Sequence, residues 1–360
     1  MVNSDFAMKT FAMILLLGLI APFFRLCTAA ESGKTYAGIY CLPAGEKPGK
    51  PVKLTAILWQ ANYLTGVALR SMWSAIEENK GKYNWSLFDQ GLALAQQNNK
   101  KISLSVAAGG FVPDWVKTEG ATFIDLIQQP NFTKPQEVQW VPPWDPVLQK
   151  EWTAFVQAMA TRYDNDPHVG YVYIGGPGIY IESYVVQNQQ DYEKFAAAGG
   201  LKKWIDGTKA LIDVYGSAFK HTPFFLAIGN PVRVPAFHAE GEAAVGEVVQ
   251  YGISRYPGRF GVTSQGLNEK SATRGATFFI NRIIKESSST SPTGYQMVGP
   301  VSGNYIWGNA GDLITALSGG ISLGARFIEV YEADCNNPES TSLLVTTNAQ
   351  LTGSRISPLK

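Results

Sequence analysis

The sequence has little histidine, little cysteine and almost no net charge, and each shortage excludes a class of function. Its three histidines, His168, His221 and His238, are scattered and show no spacing typical of a metal site. Thirty basic and 29 acidic side chains give a formal net charge of +1. The chain therefore lacks the positive surface that nucleic acid or an anionic membrane would require. We expect no metal, no cofactor and no nucleic-acid partner.

The first 30 residues have the pattern of an export signal. A basic start precedes an apolar run over 10–24, and residues 28–30 are small, as at a signal-peptidase site. The run is short for a membrane span. An uncleaved anchor is the alternative, and a lipid anchor on Cys27 is less favoured. We expect a cleaved signal peptide over 1–30, an exported protein (secreted or periplasmic) and no stable membrane insertion after cleavage.

Residues 31–360 contain no linker, low-complexity tract or shift in composition, so we expect one domain. Apolar strand-like runs alternate with turns and helical stretches, a pattern typical of a parallel sheet with crossover helices. Eight runs are predicted as strands: 35–42, 64–70, 101–108, 169–175, 223–228, 259–264, 294–298 and 325–331. The sequence therefore predicts an α/β fold, a single (β/α)₈ TIM barrel. An open doubly wound sheet is the alternative, but no glycine-rich turn follows the first strand.

Six helices are predicted between these strands, over 85–98, 146–163, 191–215, 245–255, 272–287 and 311–323. The apolar stretch 54–60 could be a helix or an additional strand. Strands one and eight are neighbours in a closed barrel, and Cys41 and Cys335 lie at their upper ends. The pair could form a disulfide in an oxidising compartment. Two separate buried thiols are the alternative.

The chemistry of such barrels takes place at the carboxyl ends of the strands. The residues there are mainly amides, carboxylates and indoles, which suit a ligand rich in hydroxyl groups. We therefore expect an oligo- or polysaccharide as the partner. The candidate saccharide-binding residues are Arg70, Trp73, Trp115, Asn230, Gln265, Asn268, Gln296, Trp307 and Tyr331. The three tryptophans are equally compatible with a core position.

One segment of about 50 residues, from strand two to just past strand three, carries a motif with long and unusual spacing. It has the form W-x-x-I-E-x-x-x-G-x-Y-x-W-x-x-x-D, followed by Pro-x-Trp. The matching residues are Trp73, Ile76, Glu77, Gly81, Tyr83, Trp85, Asp89, Pro113 and Trp115. This segment resembles the barrel of glycoside hydrolase family 42 in clan A. The resemblance implies retaining hydrolysis of a glycosidic bond by a Glu acid/base after strand four and a Glu nucleophile after strand seven.

The first of these two carboxylates has a candidate in this sequence and the second has none. Glu182, at the end of GGPGIYIES, could serve as the acid, although it does not follow an Asn and lies several residues beyond the strand. The strand-seven sequence, GYQMVGPVSGN, contains no carboxylate. Strand eight offers Glu329, which period-two alternation points into the barrel. An ion pair with Arg70 is the alternative for Glu329.

These residues favour a secreted glycoside hydrolase that cleaves a β-linked saccharide, with Glu182 and Glu329 as catalytic carboxylates. A separation of about 6.5–9.5 Å between them would favour inversion, and about 5–5.5 Å would favour retention. The alternative is a non-catalytic carbohydrate-binding barrel that has lost its strand-seven nucleophile. A barrel enzyme acting on a substrate other than a sugar has less support.

Overall fold

The structure, a computed structural model, describes residues 36–43, 56–128, 134–301 and 308–354. The predicted signal peptide, Cys27 and Trp307 lie outside these ranges. None of the helices within them combines the length and the apolar character needed to cross a bilayer.

Eight parallel strands close into a barrel, because the first strand pairs with both the second and the eighth. The prediction of a single (β/α)₈ barrel is confirmed. Barrel strands one to eight are Gly38–Leu42, Gly66–Met72, Lys101–Ala107, Val169–Tyr173, Phe224–Ala227, Phe260–Leu267, Thr293–Met297 and Phe327–Tyr331. Each overlaps its predicted run, because apolar runs bounded by turns are a strong signal for buried parallel strands.

The helices lie around the barrel. Helices α1 to α13 are Ala56–Gln60, Trp73–Ile76, Ser86–Gln97, Asp114–Thr118, Pro146–Tyr163, Gln189–Ala197, Gly200–Ala218, His238–Arg255, Glu269–Arg274, Phe279–Ser287, Leu313–Ser322, Glu332–Cys335 and Thr341–Thr352. The apolar stretch 54–60 is helical where it is described. The single helix predicted over 191–215 is wrong, because Gly199 (φ +129°) and Gly200 (φ +60°) break it into α6 and α7.

A hairpin and a C-terminal helix are among the elements absent from the sequence prediction. An antiparallel hairpin, Ile124–Gln128 with Gln136–Trp140, is inserted between barrel strand three and helix α5. Helix α13 packs against barrel strand one, and its Asn348 Oδ1 accepts a hydrogen bond from Ile39 N at 2.8 Å. The C-terminal helix thus satisfies a backbone donor next to the seam where the barrel closes.

The lower interior of the barrel is filled by buried aromatic rings. They are Tyr40, Tyr171, Phe225 and Phe327. The rings of Tyr171 and Phe327 stack with centroids 4.2 Å apart, and Phe225 meets Phe327 edge to face at 5.0 Å. Since each such ring buries roughly 150–250 Å², the barrel is a packed core and has no pore at this level.

Glycines on the neighbouring strands provide the room for these rings. A Cβ atom at Gly261 would lie 2.3 Å from Phe225, and one at Gly294 would lie 2.2 Å from Phe327. These glycines are required by close approach of side chains, and neither has a positive φ.

We predict that Gly261→Ala lowers the free energy of unfolding by about 1–3 kcal/mol, because the added methyl overpacks the aromatic interior. The matched control is Gly246→Ala in α8, where a Cβ would meet no atom within 4 Å. That change should stabilise the protein by up to about 1 kcal/mol, since alanine favours the helix. Urea denaturation of both variants measures the difference. Equal effects would contradict the packing role of Gly261.

Cys41 and Cys335 are brought together at the seam, as expected, but both are free thiols in this structure. Cys335 Sγ lies 3.5 Å from the carbonyl oxygen of Val330, which is the register partner of Cys41. Burial, followed by contact with Cys335, raises the pKa of the Cys41 thiol well above its ordinary value. The pair matches neither expectation fully: the thiols are buried and unbonded, yet adjacent.

Candidate active site

Glu329, on barrel strand eight, has a fully buried side chain above the aromatic rings. Its Oε1 accepts hydrogen bonds from Tyr171 Oη at 2.8 Å and Tyr173 Oη at 3.0 Å. Its Oε2 lies 3.3 Å from a guanidinium nitrogen of Arg70. Burial, and then the negative charge of Glu329, raise the pKa of both tyrosines well above the ordinary value. Both phenols therefore stay protonated and donate.

Arg70 connects this carboxylate to barrel strand seven. The same guanidinium donates to Gln296 Oε1, while Gln296 Nε2 donates to the carbonyl of Met297 at 3.2 Å. Gln296 is also the register partner of Glu329. Strand seven thus places a neutral amide beside Arg70. The ion pair considered for Glu329 is present, and its catalytic role remains a prediction.

Glu182 lies in the loop after barrel strand four, which folds back along the end of strand five. Ser183 N donates to the carbonyl of Ala227 at 3.1 Å, and Ser183 Oγ donates to that of Gly229 at 2.7 Å. At the start of this loop, a Cβ on Gly178 would lie 2.0 Å from the carbonyl oxygen of Glu182. The glycine-rich run therefore forms a tight turn that brings Glu182 back to the mouth of the barrel.

The surroundings of Glu182 favour its neutral form. Burial raises the pKa of the carboxyl group from 4.5 to about 7. A hydrogen bond from Gln265 N to Oε1, at 3.0 Å, and the charges of Arg233 and Arg70 oppose this shift without cancelling it. A carboxyl group that is partly protonated near neutral pH can give up a proton there, which is the property a general acid needs.

The motif after strand two has a structural role. The saccharide-stacking role considered for the fully buried Trp73 is corrected, and that of the partly exposed Trp115 stays a prediction. Trp73 is fully buried and donates through Nε1 to Glu77 Oε2 at 2.7 Å. Trp115 Nε1 donates to the carbonyl of Glu77 at 2.9 Å, and its ring meets that of Trp73 edge to face. Asp89 binds Arg162 and the Tyr163 hydroxyl. The motif thus fixes the corner between strand two and the helices.

The predicted saccharide-binding role of Asn230 is also corrected, because backbone groups use both polar atoms of its side chain, whereas that of Asn268 stays a prediction. Asn230 is 1% exposed; it accepts from Val232 N and donates to the carbonyl of His238, both at 2.9 Å. Asn268 is the N-cap of α9 and accepts from Ser271 N at 2.8 Å.

Gln265 and Tyr331 keep positions from which they could contact a ligand. Both are partly exposed at the carboxyl ends of their strands. Gln265 Nε2 has no hydrogen-bond partner among the described residues, and its backbone N–H holds Glu182. Nε2 itself is buried, so a ligand would meet the exposed part of Gln265 instead.

Four residues of the site were missing from the sequence prediction. Tyr171 and Tyr173 alternate along strand four, and the period of two used for Glu329 would have pointed them inward as well. Tyr184 and Arg233 lie on irregular loops, where no periodicity indicates which way a side chain points.

Comparisons with known proteins indicate the same family as the sequence motif does. Residues 63–241 match the model of glycoside hydrolase family 42, described as beta-galactosidase. A beta-galactosidase from the psychrophilic Marinomonas ef1 has a similar structure, with 10% identity and a TM-score of 0.55 over 89% of this chain and 61% of that chain. A polyextremophilic beta-galactosidase from the Antarctic haloarchaeon Halorubrum lacusprofundi has 10% identity and a TM-score of 0.54, over 87% and 58%.

At this level of identity the two structures show the shared fold alone. The chain spans about six-tenths of the length of these two galactosidases. No curated protein sequence matches the chain.

The raised pKa of Glu182 predicts a pH-dependent stability. Its folded-state pKa of about 7 exceeds the ordinary 4.5, so wild-type stability should fall as the pH rises through this interval, because ionising the buried carboxyl is unfavourable. Glu182→Gln removes this effect. The difference in unfolding free energy between variant and wild type should therefore grow in favour of the variant by on the order of 2 kcal/mol from pH 4.5 to 7.5.

Denaturant titrations at several pH values measure this difference. Glu240→Gln, a change at an exposed carboxylate in the first turn of α8, is the control and should show no such trend. A difference for Glu182→Gln that does not change with pH would mean that Glu182 has an ordinary pKa.

Proposed function

We propose, on the premise that this chain is a (β/α)₈ barrel of the glycoside hydrolase family 42 type, that it hydrolyses a β-linked oligo- or polysaccharide. The observation that carries the proposal is Glu182, a carboxyl with a pKa of about 7 at the carboxyl end of the barrel. The match of residues 63–241 to a family described as beta-galactosidase supports the reaction class. The export pattern of residues 1–30 supports action outside the cytoplasm.

Glu182 acts as the general acid in this mechanism. Its protonated carboxyl group donates a proton to the oxygen of the scissile bond as that bond to the anomeric carbon breaks. A water molecule then adds to the anomeric carbon and gives a proton to the Glu182 carboxylate, which restores the acid. The hydrogen bond from Gln265 N to Oε1 fixes the carboxyl, and the other oxygen, Oε2, is the one assigned to carry the proton.

Glu329 is the second carboxylate, and its burial excludes a role in activating water. With no exposed surface and with hydrogen bonds from two tyrosines, it offers no oxygen to a water molecule in the mouth. We therefore assign it to charge stabilisation from beneath the anomeric carbon, which develops positive charge in the transition state. Its ion pair with Arg70 reduces this effect, so we expect a modest contribution.

A second candidate is a non-catalytic carbohydrate-binding barrel. It is favoured by one observation: strand seven presents Gln296 beside Arg70, at the level of Glu329, and an amide cannot act as a nucleophile there. Such a protein would bind a saccharide with the same residues at the mouth and release it unchanged.

Reducing-sugar release from aryl β-glycosides and from plant and microbial polysaccharides separates the two candidates. We expect turnover by the wild type and a loss of about 10²–10⁴-fold in kcat for Glu182→Gln on substrates with poor leaving groups, because proton donation is lost. Glu240→Gln, an exposed carboxylate on α8, should keep full activity.

Full activity of Glu182→Gln would remove Glu182 from the mechanism. Binding of a saccharide without turnover, measured by calorimetry across the same panel, would replace the hydrolase with the binding protein.

A further inference from the structure

Arg233 lies on the loop after barrel strand five, directly beside the segment that carries Glu182. Arg233 N donates to the carbonyl of Val186 at 2.9 Å, and Val186 forms a parallel bridge with Val232. The two loops therefore run side by side away from the barrel, with Glu182 and Arg233 on adjacent stretches of backbone at the mouth.

The side chain of Arg233 is held in place by an aromatic ring. Its guanidinium carbon lies 5.0 Å from the ring centroid of Tyr184, two residues after Glu182. The ring in turn lies against Gly229, where a Cβ would be only 2.7 Å away. A guanidinium stacked on a ring keeps the N–H donors at its edge available to a ligand.

These donors have no anionic partner within the part of the chain that the structure describes. Arg70 pairs with Glu329 and Arg162 with Asp89, whereas Arg233 is exposed and forms no ion pair or side-chain hydrogen bond among the described residues. An arginine positioned in this way can bind a carboxylate or a sulfate through two parallel hydrogen bonds.

We propose that Arg233 binds an acidic group of the saccharide, the carboxylate of a uronic acid residue or a sulfate ester, so that the site selects acidic over neutral saccharides. The inference rests on the proposed saccharide site. It adds a class of ligand that neither the composition nor the family match indicates, since the chain as a whole is nearly neutral.

Anion binding at Arg233 would also assist Glu182. The positive charge of Arg233 lowers the pKa of Glu182, which opposes the protonated form that a general acid requires. A bound carboxylate or sulfate would offset that charge, and the pKa of Glu182 would rise. The acidic group of the saccharide would thus favour the protonated form of Glu182, the form that the proposed cleavage requires.

Binding without turnover tests the inference directly. The probes are a β-linked oligoglucuronide and the same oligosaccharide with its carboxyl groups reduced to alcohols, with a sulfated neutral β-linked oligosaccharide as a third arm. They are titrated into the Glu182→Gln protein by calorimetry at low ionic strength. We expect the acidic probe, or the sulfated one if sulfate is the natural group, to bind about fivefold or more tightly than its neutral counterpart.

Adding Arg233→Gln should abolish this preference while leaving the affinity for the neutral probe unchanged, and Arg233→Lys should keep part of it. The matched control is Arg274→Gln, since Arg274 is also exposed and stacked on an aromatic ring, Phe278, at 4.5 Å. It should leave the preference intact.

Equal affinity for acidic and neutral probes, or a preference that survives Arg233→Gln, would overturn the inference. Its failure is separate from that of the proposed function. If the wild type cleaves neutral glycosides and shows no preference for acidic ones, the proposed hydrolase function stands and the proposed role of Arg233 is wrong. If the protein binds acidic probes through Arg233 and cleaves no substrate, the role of Arg233 stands and the proposed hydrolase function is wrong.

Discussion

A carboxylate with no exposure to solvent, Glu329, lies in the interior of the barrel, and much of that interior is arranged around it. Burying an unpaired carboxylate would be strongly unfavourable, because the lost hydration is worth several kcal/mol even after relaxation. Tyr171, Tyr173 and Arg70 replace that hydration from strands four and two. Gln296 accepts a hydrogen bond from the same guanidinium nitrogen of Arg70. One buried charge thereby links four of the eight strands.

This arrangement keeps the buried charge of Glu329 below the level at which a ligand can bind. The lower barrel is closed by stacked aromatic rings and the level above it by the Glu329 network, so a ligand has access only to the loops at the carboxyl ends of the strands. Glu182 is placed there by a glycine turn and by hydrogen bonds to the end of strand five. Its raised pKa follows from that position, since the positive charges of Arg70 and Arg233 lower the pKa by less than burial raises it.

The strand pattern was predictable because each strand is an apolar run between turns, and period-two alternation placed Glu329 inside the barrel. Helix breaks at Gly199 and Gly200 were missed because the apolar pattern continues across them. The uses of single side chains were less predictable. Asn230 and Trp73 have the residue types of a saccharide site, yet their polar atoms bind groups close in the fold. Only the folded loops show such partners, and the same holds for Arg233 over Tyr184.

The interaction between Arg70 and Glu329 is the claim on which the interior of the barrel depends, and a double-mutant cycle measures it. Arg70→Met alone should lower the free energy of unfolding by about 3–5 kcal/mol, because it leaves a buried carboxylate without its cation. In the Glu329→Gln background the same change should cost at least about 1 kcal/mol less, since the two residues are in contact. Additive effects would show that Arg70 does not stabilise the charge of Glu329, and the buried ion pair would not be the interaction that organises the barrel.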